Sequence, residues 1–195
     1  MVTSDVRFDT QAGRWMSTSG VLMVLLAALA ALLPLVNWAP KGGLVGWLLF
    51  LTGAAEFTLG IQVERGLLRI ATLGSAVLTA AAGCIFIANP LASYFPVANV
   101  VTLWLVLRAA WILATASLLR SPPTSLWIGL SGVVDLLLAG VLAAGLPVAL
   151  LVVTLFGPTP YVVAKFSFIL ATSFLVTGMC YLAIGRGQRA AGRSE

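Results

Sequence analysis

Six long apolar stretches fill most of this chain and rule out an ordinary water-soluble fold. They run Gly20–Val36, Gly43–Gln62, Ile70–Ala88, Val97–Leu119, Leu126–Gly145 and Tyr161–Gly185. Each comes near or above the ~20 residues with which a helix crosses ~30 Å of hydrocarbon. A soluble core of 195 residues would not be 61% hydrophobic and 9% charged, with a mean hydropathy of +1.08. The expectation is an all-α membrane protein: six transmembrane helices over 20–185, a short polar arm over 1–19 and a polar tail over 186–195. Arm and tail are each too short to build a core. The arm mixes Asp5 and Asp9 with Arg7 and Arg14, and no small-residue cleavage site follows the first apolar run, so it does not read as a cleavable signal. Trp15 is placed to anchor at the interface.

The basic residues orient these spans. Arg7, Arg14, Arg65, Arg69, Arg120, Arg186, Arg189 and Arg193 lie in the arm, the tail and every second gap, whereas the other three gaps hold only Lys41. Arg and Lys accumulate on the cytoplasmic side of membrane proteins, so both termini are expected there, N-in and C-in. The net charge of +5 and the pI near 9.9 come mostly from this set. They give no basic face for nucleic acid, and the expected partners are the lipid bilayer and, as candidates, a second copy or other membrane proteins.

The odd spans repeat one another. Gly20 to Pro34, Gly74 to Pro90 and Gly132 to Pro147 each open on Gly at the basic side and stop at Pro on the far side. Proline lacks the donor for the next helical hydrogen bond and clashes with the preceding turn. The even spans return to basic exits at Arg65, Arg120 and Arg186. The pattern predicts three parallel-repeat hairpins, about 14–65, 69–120 and 125–186, packed around a pseudo-threefold axis. The third repeat carries an insertion, Val148–Pro160. Its apolar part, Val148–Phe156, is too short to span and would either extend the fifth helix or lie at the outer interface.

The segments GWLLFLTGAAEFTLGI (Gly46–Ile61), LWLVLRAAWILATASLLR (Leu103–Arg120) and LWIGLSGVVDLLLAGVL (Leu126–Leu142), set in these Gly…Pro hairpins, resemble the HdeD family of acid-resistance membrane proteins. The likeness covers roughly Arg14–Arg186. It implies a multi-pass protein of the bacterial inner membrane linked to acid or stress resistance, without a settled molecular activity.

Four ionisable residues fall inside the spans: Glu56, Arg108, Asp135 and Lys165. A charge at the bilayer centre costs about 2.5–3.5 kcal/mol on insertion scales, so each needs a partner, water or a route to the interface. Lys165, one turn inside the outer end of its helix, can snorkel outward. Counting from the cytoplasmic ends at ~1.5 Å per residue puts Glu56 about 10 Å deep, Asp135 about 14 Å and Arg108 about 18 Å. Arg108 and Asp135 are therefore expected to pair, with the guanidinium gripping the carboxylate by two parallel bonds. Such a pair would fix helix registry, or form a proton- or ion-responsive site; the alternative is two separate, water-facing charges. Glu56, on the small face Gly53-xx-Glu56-xxx-Gly60, is expected to turn inward and hydrogen-bond a neighbour's Ser or Thr. Buried with no cation beside it, this carboxyl is the candidate protonatable site.

The chain has no His, and its two cysteines, Cys84 and Cys180, are expected in opposite leaflets, too far apart for a disulfide. It has no phosphate-cradling Gly-rich loop with Lys and Ser/Thr either. No catalytic residue, metal site or cofactor is therefore assigned, and a non-enzymatic protein is expected. Two classes remain. One is a stress-linked membrane protein acting through membrane packing or protein partners. The other is a small proton- or solute-translocating transporter or channel using Glu56, Arg108 and Asp135. A continuous polar passage would favour transport, and a dry bundle the first.

Overall fold

The computed structural model describes residues 10–35, 41–63, 66–88, 97–119, 121–144 and 161–191; within these, the side chains of 10–12, 34, 41–42, 97, 161–165 and 190–191 lie outside the description. The described elements are all helical. They are α1 (Thr10–Leu32) with a 3-10 turn at Leu33–Leu35, α2 (Lys41–Gln62), α3 (Leu67–Ala88), α4 (Val97–Leu118), α5 (Pro122–Ala143) and α6 (Tyr161–Ala191). Each contains a stretch long and apolar enough to cross a membrane. The helix boundaries follow local chemistry. Proline 34 falls in the 3-10 turn that closes α1. Gly66, at φ +153°, takes the chain through the short turn between α2 and α3. Ser121 is the N-cap of α5, and Pro122 occupies its first turn, where the missing N–H leaves no helical bond unmade.

The polarity of the bundle is inverted relative to a soluble protein. Large apolar side chains face outward, with Leu103 59% and Leu137 63% exposed, while Glu56, Arg108 and Asp135 are at most 1% exposed. Charged side chains turn inward and leucines outward when the surrounding medium is hydrocarbon.

The helices form a closed ring in chain order, with α6 returning to α1. Neighbours run antiparallel. Gly13 of α1 lies beside Gly185 of α6, Gly60 of α2 beside Leu73 of α3, and Gly129 of α5 beside Ala116 of α4. The starts of α1, α3 and α5 thus share one end of the bundle with the finishes of α2, α4 and α6. We call this the basic end, since Arg14, Arg69, Arg186 and Arg189 lie there.

The most extensive contacts are α1–α6, α2–α3 and α4–α5. The pairs expected to form hairpins (α1–α2, α3–α4, α5–α6) also touch, but along smaller interfaces. Small residues explain the difference. On α2, Gly46, Gly53 and Gly60 recur every seventh position and face α3, where a Cβ on Gly53 would fall 2.6 Å from the Ala80 nitrogen. Gly83 of α3 answers them, its Cβ position being 2.5 Å from the Phe50 nitrogen. Between α1 and α6 the same role falls to Gly20, whose Cβ position is 2.8 Å from the Gly178 oxygen, and to Gly185, 2.5 Å from Ser17 Oγ. Where no side chain intervenes, backbones approach closely and dispersion contacts accumulate, which is what drives helix association in lipid. Gly46 packs inside the chain, against Phe86 and Ile87.

Two boundaries differ most from expectation. Helix α1 starts at Thr10, so half of the supposed polar arm is helical, and α6 runs to Ala191, through Arg186 and Arg189. The α1–α6 seam causes both extensions. Gly13 packs on Gly185 and Ser17 is buried against it, which carries both helices past the apolar stretches. The insertion Val148–Pro160 and the residues Pro90 and Pro147 lie outside the described residues.

Candidate functional site

The centre of the ring is occupied by one guanidinium and two carboxylates. Arg108 projects from the middle of α4 and is fully buried. Its Nη2 lies 2.6 Å from Glu56 Oε1 on α2, and its Nη1 lies 2.7 Å from Asp135 Oδ2 on α5. The remaining donors go to hydroxyls. Nε donates to Ser75 Oγ of α3 at 3.0 Å, Nη1 to Ser173 Oγ of α6 at 3.1 Å, and Nη2 to Thr177 Oγ1 of α6 at 3.3 Å. A guanidinium has five N–H donors, and here all five are engaged by four different helices.

The hydroxyls complete the carboxylates in turn. Ser75 Oγ donates to Glu56 Oε2 at 2.9 Å, and Ser173 Oγ donates to Asp135 Oδ1 at 2.6 Å. Each carboxylate thus receives one charge-assisted bond from Arg108 and one from a serine. Charge-assisted bonds of this kind are shorter and roughly twice as strong as neutral ones.

The structure therefore places Glu56, Arg108 and Asp135 in one cluster, which changes two details expected from the sequence. The Arg108–Asp135 contact is a single N–O pair, because the other nitrogens of the fork are held by Glu56 and the hydroxyls. Glu56 does hydrogen-bond a serine, Ser75, but it also has a cation beside it. The Lys165 side chain lies outside the described residues. Ser75, Ser173 and Thr177 were not singled out from the sequence. The available signal was a hydroxyl stripe at helical spacing, Thr72-Ser75-Thr79 on α3 and Ser173-Thr177 on α6, aligned with charged residues on facing helices.

The surroundings differ on the two sides of Arg108. Away from the basic end, the Trp104 ring lies 5.8 Å from the guanidinium carbon and meets Phe174 edge-on at 6.4 Å. Trp104 Nε1 donates to Thr79 Oγ1 at 3.3 Å, which fixes the indole over the cation. Leu49, Val101, Leu105 and Leu170, all fully buried, close that side. Toward the basic end lies a cavity with about 20 Å³ of room for the centre of a water molecule. Thr72, Ser75, Ser131, Thr177, Cys180 and Tyr181 line it together with apolar residues. A site needs ~10–15 Å³ by this measure to hold one water, so the cavity takes about one.

A second indole locks α3 to α4. Trp111 Nε1 donates to the Ala71 carbonyl at 3.1 Å, and its ring fills the hollow left by Gly74. The cysteines are both free, Cys84 exposed and Cys180 buried.

Among the described residues these features define a bundle of six membrane-crossing-length helices closed around a buried ion cluster. Comparison with models of known families, with curated proteins and with solved structures gives no match.

Proposed function

We propose that this chain is a non-enzymatic integral membrane protein of the HdeD type. It sits in the bacterial inner membrane with both termini cytoplasmic and serves acid or stress resistance through membrane packing or protein partners. The observation that carries the reading is the saturation of Arg108. All five donors are used within the chain, so the cluster binds α2, α3, α4, α5 and α6 into one register and leaves no donor for a passing solute. A buried ionic group that fixes registry is a well-attested use of such residues. The aromatic and aliphatic closure beyond Trp104 favours a packed bundle over the transporter alternative.

The test is survival of an acid challenge by a deletion strain carrying wild type, Arg108→Met or an empty vector, paired with flux of a pH dye in proteoliposomes. The proposal expects rescue by wild type alone and vesicles no leakier than protein-free ones. Equal survival of all three strains would overturn the stress role. Wild-type flux abolished by Glu56→Gln would install the transporter reading in its place.

A further inference from the structure

Among the described residues two carboxylates share one guanidinium at the centre of the bundle, so the fully ionised cluster of Glu56, Arg108 and Asp135 carries one excess negative charge in a region without bulk water. A buried excess charge is relieved most simply by taking up a proton. We infer that Glu56 is a proton-binding site, loaded from the basic end through the Ser75 hydroxyl. The inference uses the membrane-embedded reading above but not the acid-resistance role.

Geometry selects Glu56 over Asp135. Ser75 both lines the water-sized cavity and donates to Glu56 Oε2, so one hydroxyl links the cavity to that carboxylate. Asp135 receives its hydroxyl bond from Ser173, which does not line the cavity. Ser75 Oγ accepts from Arg108 Nε with one lone pair, and its second remains for a donor in the cavity.

The relay balances. A hydronium in the cavity passes a proton to Ser75 Oγ, forming a new O–H bond. The original Ser75 O–H bond breaks, and its proton joins Glu56 Oε2. The hydronium becomes water, Ser75 is again a neutral hydroxyl now pointing at the cavity, and Glu56 is a neutral acid donating to Ser75 Oγ. Arg108 and Asp135 remain a charge-neutral pair.

The charged and titratable groups facing Glu56 are Arg108 from α4, Asp135 from α5, and Tyr181 from α6. Cys180 of α6 faces Asp135. Among the described residues, α1 presents Met16, Ser17, Met23 and Ala27 inward, and α3 presents hydroxyls and alanines, none of which titrates in this range. The cavity lies on the basic-end side of the cluster, whereas Trp104 and Phe174 pack on the other, so the proposed proton arrives from the basic end.

The experiment is infrared spectroscopy of the full chain in lipid vesicles, titrated from neutral to acid pH. The expected result is a protonated-carboxyl C=O band that grows with acid, disappears in Glu56→Gln, shifts in frequency in Glu56→Asp but not in Asp135→Glu, and needs stronger acid in Asp135→Asn, which removes the excess charge. Exchange of that band's proton for deuterium should slow about a hundredfold in Ser75→Ala, the low end of what a positioned proton-transfer group contributes, and recover in Ser75→Thr. Thr72→Leu, which fills the cavity, should slow it too, with circular dichroism verifying the fold of every variant. A band that persists in Glu56→Gln, the absence of any acid-dependent band, or unchanged exchange in folded Ser75→Ala would each overturn the inference. Because the readout is a vibrational band, its loss is distinguishable from a failure of acid survival in cells.

Discussion

The ion cluster makes an unusual prediction about which substitution is worst. Each carboxylate carbon lies roughly 4 Å from the guanidinium carbon, giving an attraction of about 4 kcal/mol at an effective dielectric of ~20. The two carboxylates, held on opposite nitrogens roughly 7 Å apart, repel by about 2.4 kcal/mol on the same basis. Asp135→Asn or Glu56→Gln gives up one attraction but also removes the repulsion, so each should cost only about 1.6 kcal/mol in Coulomb energy. Arg108→Met gives up both attractions, about 8 kcal/mol, and leaves the repulsion behind. The double variant Glu56→Gln/Asp135→Asn strands the cation. It should cost about 5.6 kcal/mol, about 2.4 more than the two single effects added. The assay is reversible unfolding in mixed micelles, followed by circular dichroism, for the wild type and these four variants. Arg108→Met no worse than a single carboxylate replacement would refute the shared-cation reasoning. So would strict additivity in the double variant.

Further outcomes follow from packing and layout. Gly53→Val should lower stability by about 1–3 kcal/mol through overpacking at the α2–α3 seam, whereas Gly140→Ala, with open space at its Cβ position, should be neutral or slightly stabilising in the same assay. Replacing Trp111 by Phe removes its bond to the Ala71 carbonyl, which keeps its helical donor, and should cost about 0.5–1.5 kcal/mol. Cys84 should react with a lipid-soluble maleimide in the native bundle and Cys180 only after unfolding, as mass spectrometry of the labelled protein would reveal. If both termini are cytoplasmic, as proposed, membrane-impermeant labelling of single-cysteine reporters in intact cells should reach positions Lys41 and Ser93 but not Arg120 or Ser194. Labelling at Ser194 would reverse the layout.

The six helices were legible because apolar length and the Arg distribution act locally, residue by residue. The meeting of Arg108 with Asp135 was legible because two opposite charges at similar depth have few other ways to avoid hydrocarbon. The inclusion of Glu56 was not, since counting turns from a helix end assumes that all ends are level. In the structure Glu56 is six residues from the end of α2, Ser75 eight from the start of α3 and Arg108 ten from the end of α4, yet the three are in contact. Four residues of offset amount to about 6 Å, which staggered helix ends and the long Arg side chain can absorb. The choice of packed pairs was hidden for a different reason. Repeat boundaries say which helices are alike, whereas the Gly46-Gly53-Gly60 stripe decides which ones can approach, and a stripe alone does not name its partner.

The distribution of Arg108's partners along the chain also bears on how the protein is made. Helices enter the membrane in order of synthesis, and Glu56 arrives on α2 with only neutral company. When α4 follows, Arg108 finds a counter-charge and the Ser75 hydroxyl already waiting, while Asp135 on α5 and the hydroxyls of α6 are still to come. On that order of insertion the early carboxylate would act as a placeholder that makes the most awkward residue insertable, and the later one would secure it. A ribosome stalled between α4 and α5 would leave a four-helix intermediate with a neutral Glu56–Arg108 pair, tolerable to the bilayer but unfinished. Loss of Glu56 would be felt first during biogenesis, as failure to retain α4, before any effect on the finished protein could be seen.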